Sequence, residues 1–334
     1  AMDHVQKTTP KDQRAVHRAR RKVARINKAM QRSALRKQFH INESRCVADI
    51  FRRALSSEDA PDSCPIPLAD LTAYFKSTNT PRCDFDPLHP SGSMFLDILR
   101  EMPKPTCDED LFNSDITSEE VEKILFKVNK QSAPALDGNT YQVYAHFKVI
   151  LLPLLVTIFR RCWKDKKIPQ AWKLSCTKLA YKAGDPSSAA NWRPLAMQST
   201  LYKMYIAVLQ RRLGAWAESN NRLCNSQKGF REGVAGCDEH QFVSHAILDD
   251  TRRSRLPIYM VYYDIKNAFG AIPHTYLWFV LKELGVPASF ITLLQDVYTN
   301  AYTMISTANG TSSPIHQRAG VFQGCPLSPL LFIL

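Results

Sequence analysis

Residues 259–273, YMVYYDIKNAFGAIP, decide the reading of this chain. The first five, Tyr259 to Tyr263, are large and mostly strand-favouring. Asp264 follows directly. Lys266, Asn267, Ala268, Phe269 and Gly270 then lead to Pro273, a residue suited to the first turn of a helix. The stretch predicts a strand that carries a carboxylate at its C-terminal end, followed by a helix. Carboxylates in that position hold Mg²⁺ in metal-dependent phosphoryl-transfer enzymes. Taken alone, an Asp that closes an apolar run is more often a turn or cap residue.

Two further segments change that balance. Downstream lies QGCPLSPLLF, residues 323–332; upstream, AYKAGD (180–185) is followed by NWRPLA (191–196). In this order the three segments resemble the reverse transcriptases of non-LTR retrotransposons. Asp264 with Phe269 looks like the first palm motif, residues 323–332 look like the second, and Lys182 and Arg193 look like the fingertip motif. SAPALDG (132–138) and SQKGF (226–230) extend the resemblance, which covers roughly residues 116 to 334. Ala135 stands where the family usually has Gly.

The resemblance implies an α+β fold: the fingers and an incomplete palm of a right-hand polymerase, preceded by a mainly helical N-terminal extension. The expected segments are a basic extension (1–115), fingers (116–252) and a partial palm (253–334). The implied activity is nucleotidyl transfer by an RNA-directed DNA polymerase, with Mg²⁺ as cofactor. Template RNA, primer or target DNA and dNTP are the implied partners, and the expected location is intracellular, in the nucleus at the site of integration. Asp264, helped by the backbone carbonyl of Ile265, would be the metal ligand and catalytic carboxylate. Phe269 would be the steric gate, a ring under the sugar that clashes with a ribose 2′-hydroxyl. Lys182 as a point charge and Arg193 as a fork suit triphosphate oxygens. Gln323 and Gly324 would lie against the template and the incoming nucleotide. The family completes its metal site with a paired-aspartate motif, usually Tyr-x-Asp-Asp, and no such sequence follows Gln323. The expectation is therefore a chain that binds RNA and does not polymerise alone. A non-catalytic RNA-binding module and a group II intron maturase-type reverse transcriptase are the alternatives.

Composition agrees with a nucleic-acid partner. The 334 residues carry a formal charge of +13, and most of the excess lies in residues 1–45, where five lysines and eight arginines face only Asp3, Asp12 and Glu43. Thr9-Pro10 makes a good helix start. After it, Arg14, Arg18, Arg21, Arg25, Lys28, Arg32 and Arg36 recur at spacings of three and four, which places them in one stripe. Val16, Ala19, Val23, Ile26, Met30 and Ala34 fall on the opposite side. The stripe reads as an RNA-binding face, with a solvated helix face or a basic import signal as the plainer readings. Residues 42–55 read as a second helix.

The longest near-continuous apolar run, residues 149–159, is too short for a membrane span, and no cleavable leader is evident at the N-terminus. Nine cysteines without a CxxC pair suggest neither a disulfide framework nor a closed zinc site, and fit a reducing compartment. Cys237, His240 and His245 have a finger-like spacing but no fourth ligand nearby. His274 reads as a packing or capping residue, and Cys325 has no basic partner to activate it.

Local patterns predict the remaining elements. Thr117 and Glu120 form a capping-box pair. Residues 141–163 read as a helical region interrupted at Pro153. Residues 174–181 and 192–197 read as a long hairpin, and 201–217 and 237–248 as helices. Helices are also expected over 273–284 and 288–298, with strands over 302–307 and 315–321 around the turn dipeptide Asn309-Gly310.

Overall fold

In a computed structural model, the described residues are 63–334, apart from 82–84, 88, 107–108, 133, 235 and 266. The basic stripe from Arg14 to Arg36 and the helix expected over 42–55 lie outside the described residues. Described elements, in chain order, are α1 (Leu68–Thr78), α2 (Pro90–Glu101), α3 (Glu109–Asn113), α4 (Ser118–Lys127), α5 (Tyr141–His146), α6 (Lys148–Asp165), β1 (Leu174–Tyr181), β2 (Trp192–Met197), α7 (Thr200–Ser219), α8 (Asp238–Ser254), α9 (Ala268–Ala271), α10 (His274–Glu283), α11 (Ala288–Tyr298), β3 (Tyr302–Thr307), β4 (Gly310–Thr311), β5 (Ile315–His316) and α12 (Ser328–Ile333). Among the described residues no helix is long and apolar enough to cross a membrane.

The mixed α+β fold expected from the sequence is present. One sheet has the order β2-β1-β3-β4, with β5 also on β3. The expected hairpin forms: β1 and β2 pair antiparallel, Cys176 opposite Met197 and Tyr181 opposite Trp192. β1 also pairs parallel with β3, Leu174 opposite Tyr302, so both of its hydrogen-bonding edges are filled. A parallel pair needs a crossover, and α7 to α11 lie in that connection.

The core lies around α7, which buries Tyr202, Met204, Tyr205, Ile206, Leu209, Leu213 and Trp216. α4 packs against it and starts with the predicted capping box: Glu120 N donates to Thr117 Oγ1 at 3.2 Å, and Thr117 N donates to Glu120 Oε2 at 2.9 Å. The expected interruption at Pro153 is instead at Phe147, which caps both α5 and α6, while Pro153 sits inside α6. Proline lacks only its own N–H and restricts mainly the preceding turn, so near a helix start it is accommodated.

A second, smaller cluster joins α1 to the sheet through Leu71, Phe75, Trp192, Ile305 and Ile315. Residues 63–79, within the expected extension, thus pack with the hairpin and β3, and Ser63–Leu334 form one compact unit.

Two strand expectations fail. Residues 256–265 form no strand, and Tyr259, Tyr262 and Tyr263 are 92%, 80% and 92% exposed. Strand preference is expressed only against a neighbouring strand and a packed face, and among the described residues nothing pairs with this segment. Of residues 315–321, only Ile315–His316 pair as a strand. Beyond them the backbone turns to other acceptors: Gln317 N donates to Ala301 O at 2.9 Å, and Arg318 N and Ala319 N donate to Asn79 O at 2.8 and 2.9 Å.

Candidate active site

The β1–β2 hairpin positions the first two candidate residues. Lys182 directly follows β1; its N–H donates to Asn191 O at 2.9 Å and its Nζ to Ala190 O at 3.3 Å. Arg193 is the second residue of β2, opposite Ala180, with an exposed side chain. The hairpin tip satisfies its own polar groups. Asp185 accepts from Ser187 Oγ at 2.7 Å and Ser187 N at 2.9 Å, and these hydrogen bonds hold its carboxyl below the usual value. Trp192 Nε1 donates to Pro186 O at 2.9 Å. The acid at the tip is thereby engaged, and Arg193 makes no ion pair among the described residues.

Asp264 and Ile265 close the irregular stretch 256–265. The Asp264 carboxylate is exposed and has no hydrogen bond or ion pair among the described residues. Lys182, Arg193, Asp264, Ile265 and Gln323 all line one cleft of about 440 Å³. Asp264 is the one carboxylate among the described residues on its wall. The floor carries a buried hydroxyl pair, Thr177 Oγ1 and Thr303 Oγ1, 2.6 Å apart. Tyr74 and Asn79, from the end of α1, form part of the rim.

Residues 319–325 tie these parts together. Ala196 N donates to Gln323 O at 2.9 Å, which fixes the Gln323 loop to the strand that carries Arg193. Gly324, with φ +106°, lies so close to β2 that a Cβ there would be 3.0 Å from Ala196 O. Val321 N donates to Phe269 O and Gly320 N to Ile272 O, both at 2.7 Å, and His274 Nε2 donates to Gly320 O at 2.9 Å. Burial holds His274 below the usual imidazole value, so it is a neutral packing residue. Cys325 is buried, with its Sγ 3.7 Å from Tyr202 Oη.

Phe269 stands apart from the other candidates. Its ring stacks on Phe332, with centroids 5.0 Å apart and planes 9° apart, and Asn267 and Gly270 form the adjacent cleft wall. Gly324 likewise supports the wall without lining it.

The cations of a hairpin tip, an unpaired carboxylate after an aromatic stretch and a glutamine–glycine loop meet in one cleft. A family model described as "Reverse transcriptase (RNA-dependent DNA polymerase)" matches residues 181–334. Over residues 181–334 the chain is similar to that family.

Curated relatives of the chain are proteins of transposable elements. A Pol polyprotein from the type-1 retrotransposable element R2 of Popillia japonica is 28% identical over 204 residues, which cover 61% of this chain and 27% of that protein. A probable RNA-directed DNA polymerase from transposon BS of Drosophila melanogaster is 26% identical over 221 residues, 65% of this chain and 24% of that protein. The transposon TX1 149 kDa protein of Xenopus laevis is 25% identical over 219 residues, 66% of this chain and 16% of that protein. The chain spans about a quarter or less of the length of these three.

The matched range does not build the cleft alone. Tyr74, Asn79 and Thr177 precede the matched range, and nothing in their local sequence marks them. Behind the cleft, Arg212 of α7 is 4% exposed and satisfied throughout. It donates to both Glu120 oxygens at 2.8 Å, to the carbonyls of Leu111, Ser114 and Asp115, and lies 4.8 Å over the Trp163 ring. Burial raises the Glu120 carboxyl, but the hydrogen bonds from Arg212 and Thr117 outweigh it and leave the group below its ordinary value. His240, one of the finger-spaced residues, is engaged elsewhere, with Nε2 2.8 Å from Ser226 O.

Proposed function

We propose that this chain is the fingers and part of the palm of a non-LTR retrotransposon's RNA-directed DNA polymerase. The observation that carries the reading is the convergence of Lys182, Arg193, Asp264 and Gln323 on one cleft, in a chain similar to reverse transcriptases over residues 181–334. The segments 1–115, 116–252 and 253–334 act as basic extension, fingers and partial palm. Template RNA, primer or target DNA and dNTP are the partners, and synthesis takes place in the nucleus at the integration site.

Lys182 and Arg193 clamp the triphosphate of a dNTP, because a point charge and a planar fork together fix its oxygens. Gln323 meets the nascent base pair, and the Ala196–Gln323 hydrogen bond couples that contact to Arg193. Phe269 limits space at the sugar; its stacking on Phe332 sets how far the ring can withdraw. The Asp264 carboxylate and the Ile265 carbonyl are hard oxygen donors, the class that Mg²⁺ requires. Mg²⁺ supplies charge neutralisation at the transferring phosphate when bound. One carboxylate and a carbonyl fit part of one ion's shell, so the cleft needs a further carboxylate for the two-ion reaction.

Residues 1–334 should therefore bind structured RNA in a filter assay and fail to extend a primer with Mg²⁺ and dNTPs. A chain continued in its natural reading frame through the next palm motif and thumb should synthesise DNA, and Asp264→Ala should abolish that synthesis. Robust synthesis by residues 1–334, or survival of synthesis in the longer Asp264→Ala protein, would show that the metal site is elsewhere.

A further inference from the structure

Phe230 adopts φ +62°. A bulky residue in the left-handed region is a genuine outlier, and such strain persists only where surrounding structure enforces it. Arg231 provides the enforcement. Its Nε and Nη2 donate to the two Glu218 oxygens at 2.9 and 2.6 Å, while Nη1 donates to Cys224 O at 3.1 Å and Gln227 O at 3.3 Å. This clamp fastens the loop before Phe230 to the end of α7.

Core packing does not explain the strain, because Phe230 is 61% exposed. One edge of the ring meets Phe269, with centroids 6.2 Å apart and planes at 83°. Through Phe269 it is continuous with the Phe332 stack beside the candidate active site. Next to the ring lies a cleft of about 410 Å³ between α4 and α7, with Ile124 and Val128 as apolar wall and Gln210, Arg211 and Lys127 as polar groups. Lys127 is engaged by Glu232 at 2.9 Å; Arg211 makes no hydrogen bond or ion pair among the described residues.

We propose that Phe230 is a stacking platform for an unpaired nucleobase, which enters the cleft beside it while Arg211 meets the adjoining phosphate. An exposed aromatic ring supplies a sequence-tolerant face for any base, and a nearby cation holds the backbone that carries it. The ring is displayed by a clamped backbone, so no ordering of the loop opposes binding. This site deepens the polymerase reading and rests on it: the base belongs to the single-stranded template as it leaves or approaches the cleft that Lys182 and Arg193 line.

The test uses the full 334-residue chain with labelled twelve-nucleotide oligo-U RNA and oligo-dT DNA, read by fluorescence anisotropy over a salt series. F230A should weaken binding of both by about tenfold, within the range measured for lost base stacking, with no change in the log–log salt slope. F230W should keep the wild-type affinity and show tryptophan quenching on binding beyond that of the wild type. F230G removes the strain with the ring, so it should melt at or above the wild-type temperature while binding as weakly as F230A. A merely structural ring would give a lower melting temperature instead. Equal affinity of F230A and wild type, or no added quenching in F230W, overturns the proposal. Unchanged affinity with a shift from self-associated to monomeric chain in F230A also overturns it and assigns the ring to an interface between copies. Binding of a dNTP at Lys182 and Arg193 is measured separately, so loss of the platform leaves the polymerase reading distinguishable.

Discussion

A Cβ on Gly320 would lie 2.6 Å from the Cα of Gly270 and 2.6 Å from the carbonyl oxygen of Phe269. The two backbones cross with no side chain between them, and the flanking hydrogen bonds from Gly320 N and Val321 N depend on that closeness. The cleft wall at Asn267 and Gly270 is thus fixed by the segment that carries Gln323.

Gly320→Ala should separate the two segments. The obstacle is backbone, which cannot rotate away, and φ +77° at this position adds strain for any L-residue. The expected destabilisation is roughly 2–4 kcal/mol, read as a lower midpoint in urea. A midpoint equal to wild type would mean that the crossing is loose.

Lys182→Ala and Arg193→Ala should each weaken dNTP binding by about tenfold, since a charge-assisted hydrogen bond contributes about 1.5–3 kcal/mol. Arg193→Lys should recover only part of the loss, because an ammonium lacks the planar fork. Equilibrium binding of a fluorescent dNTP checks this, and affinities unmoved by either alanine would remove the pair from the nucleotide site.

The Arg212–Glu120 pair should make the domain acid-labile. The Glu120 carboxyl is held below its ordinary value of 4.5. Its contribution is therefore fully present above about pH 4.5 and is lost as pH falls through the depressed folded-state value. Glu120→Gln should lower the melting temperature at pH 7, and the gap to wild type should narrow progressively as pH falls below 4.5. A cost of roughly 3 kcal/mol at pH 7 is expected for leaving Arg212, 4% exposed, without its anion. A gap that stays constant as pH falls from 7 through the acid range would contradict the assignment.

The basic stripe should act through phosphates. Changing Arg18, Arg21 and Arg25 together to Ala should weaken RNA binding with little change in sequence preference, and lower the log–log salt slope by roughly 0.7 per lost contact on single strands. Filter binding over a salt series reads both quantities, and an unaltered slope would leave the stripe without this role.

The sequence by itself determined whatever rests on short spacings. The Thr117–Glu120 capping box and the β1–β2 hairpin formed where the residues predicted them, and a turn formed at residues 308–309, one position before the predicted Asn309-Gly310 pair, because each is stabilised by partners a few positions away. It also marked Lys182, Arg193, Asp264 and Gln323, which the fold gathers around one cleft. Tertiary structure alone decided the rest. Tyr259 to Tyr263 have every local property of a strand, yet a strand exists only beside another, and none of the described residues supplies one. Tyr74 and Asn79 reach the cleft because α1 packs on β3, a contact between distant segments that no local pattern encodes. Arg212 reads as one cation among many on a helix; its role comes from Glu120 and three carbonyls about a hundred positions away. Phe230 could be read as an aromatic in a motif, whereas its left-handed backbone and exposed ring follow from the clamp that Arg231 makes with Glu218. Helical periods and turn residues act over one or two turns of chain, while burial, strain and charge pairing are set by whichever distant groups the fold brings within a few ångströms.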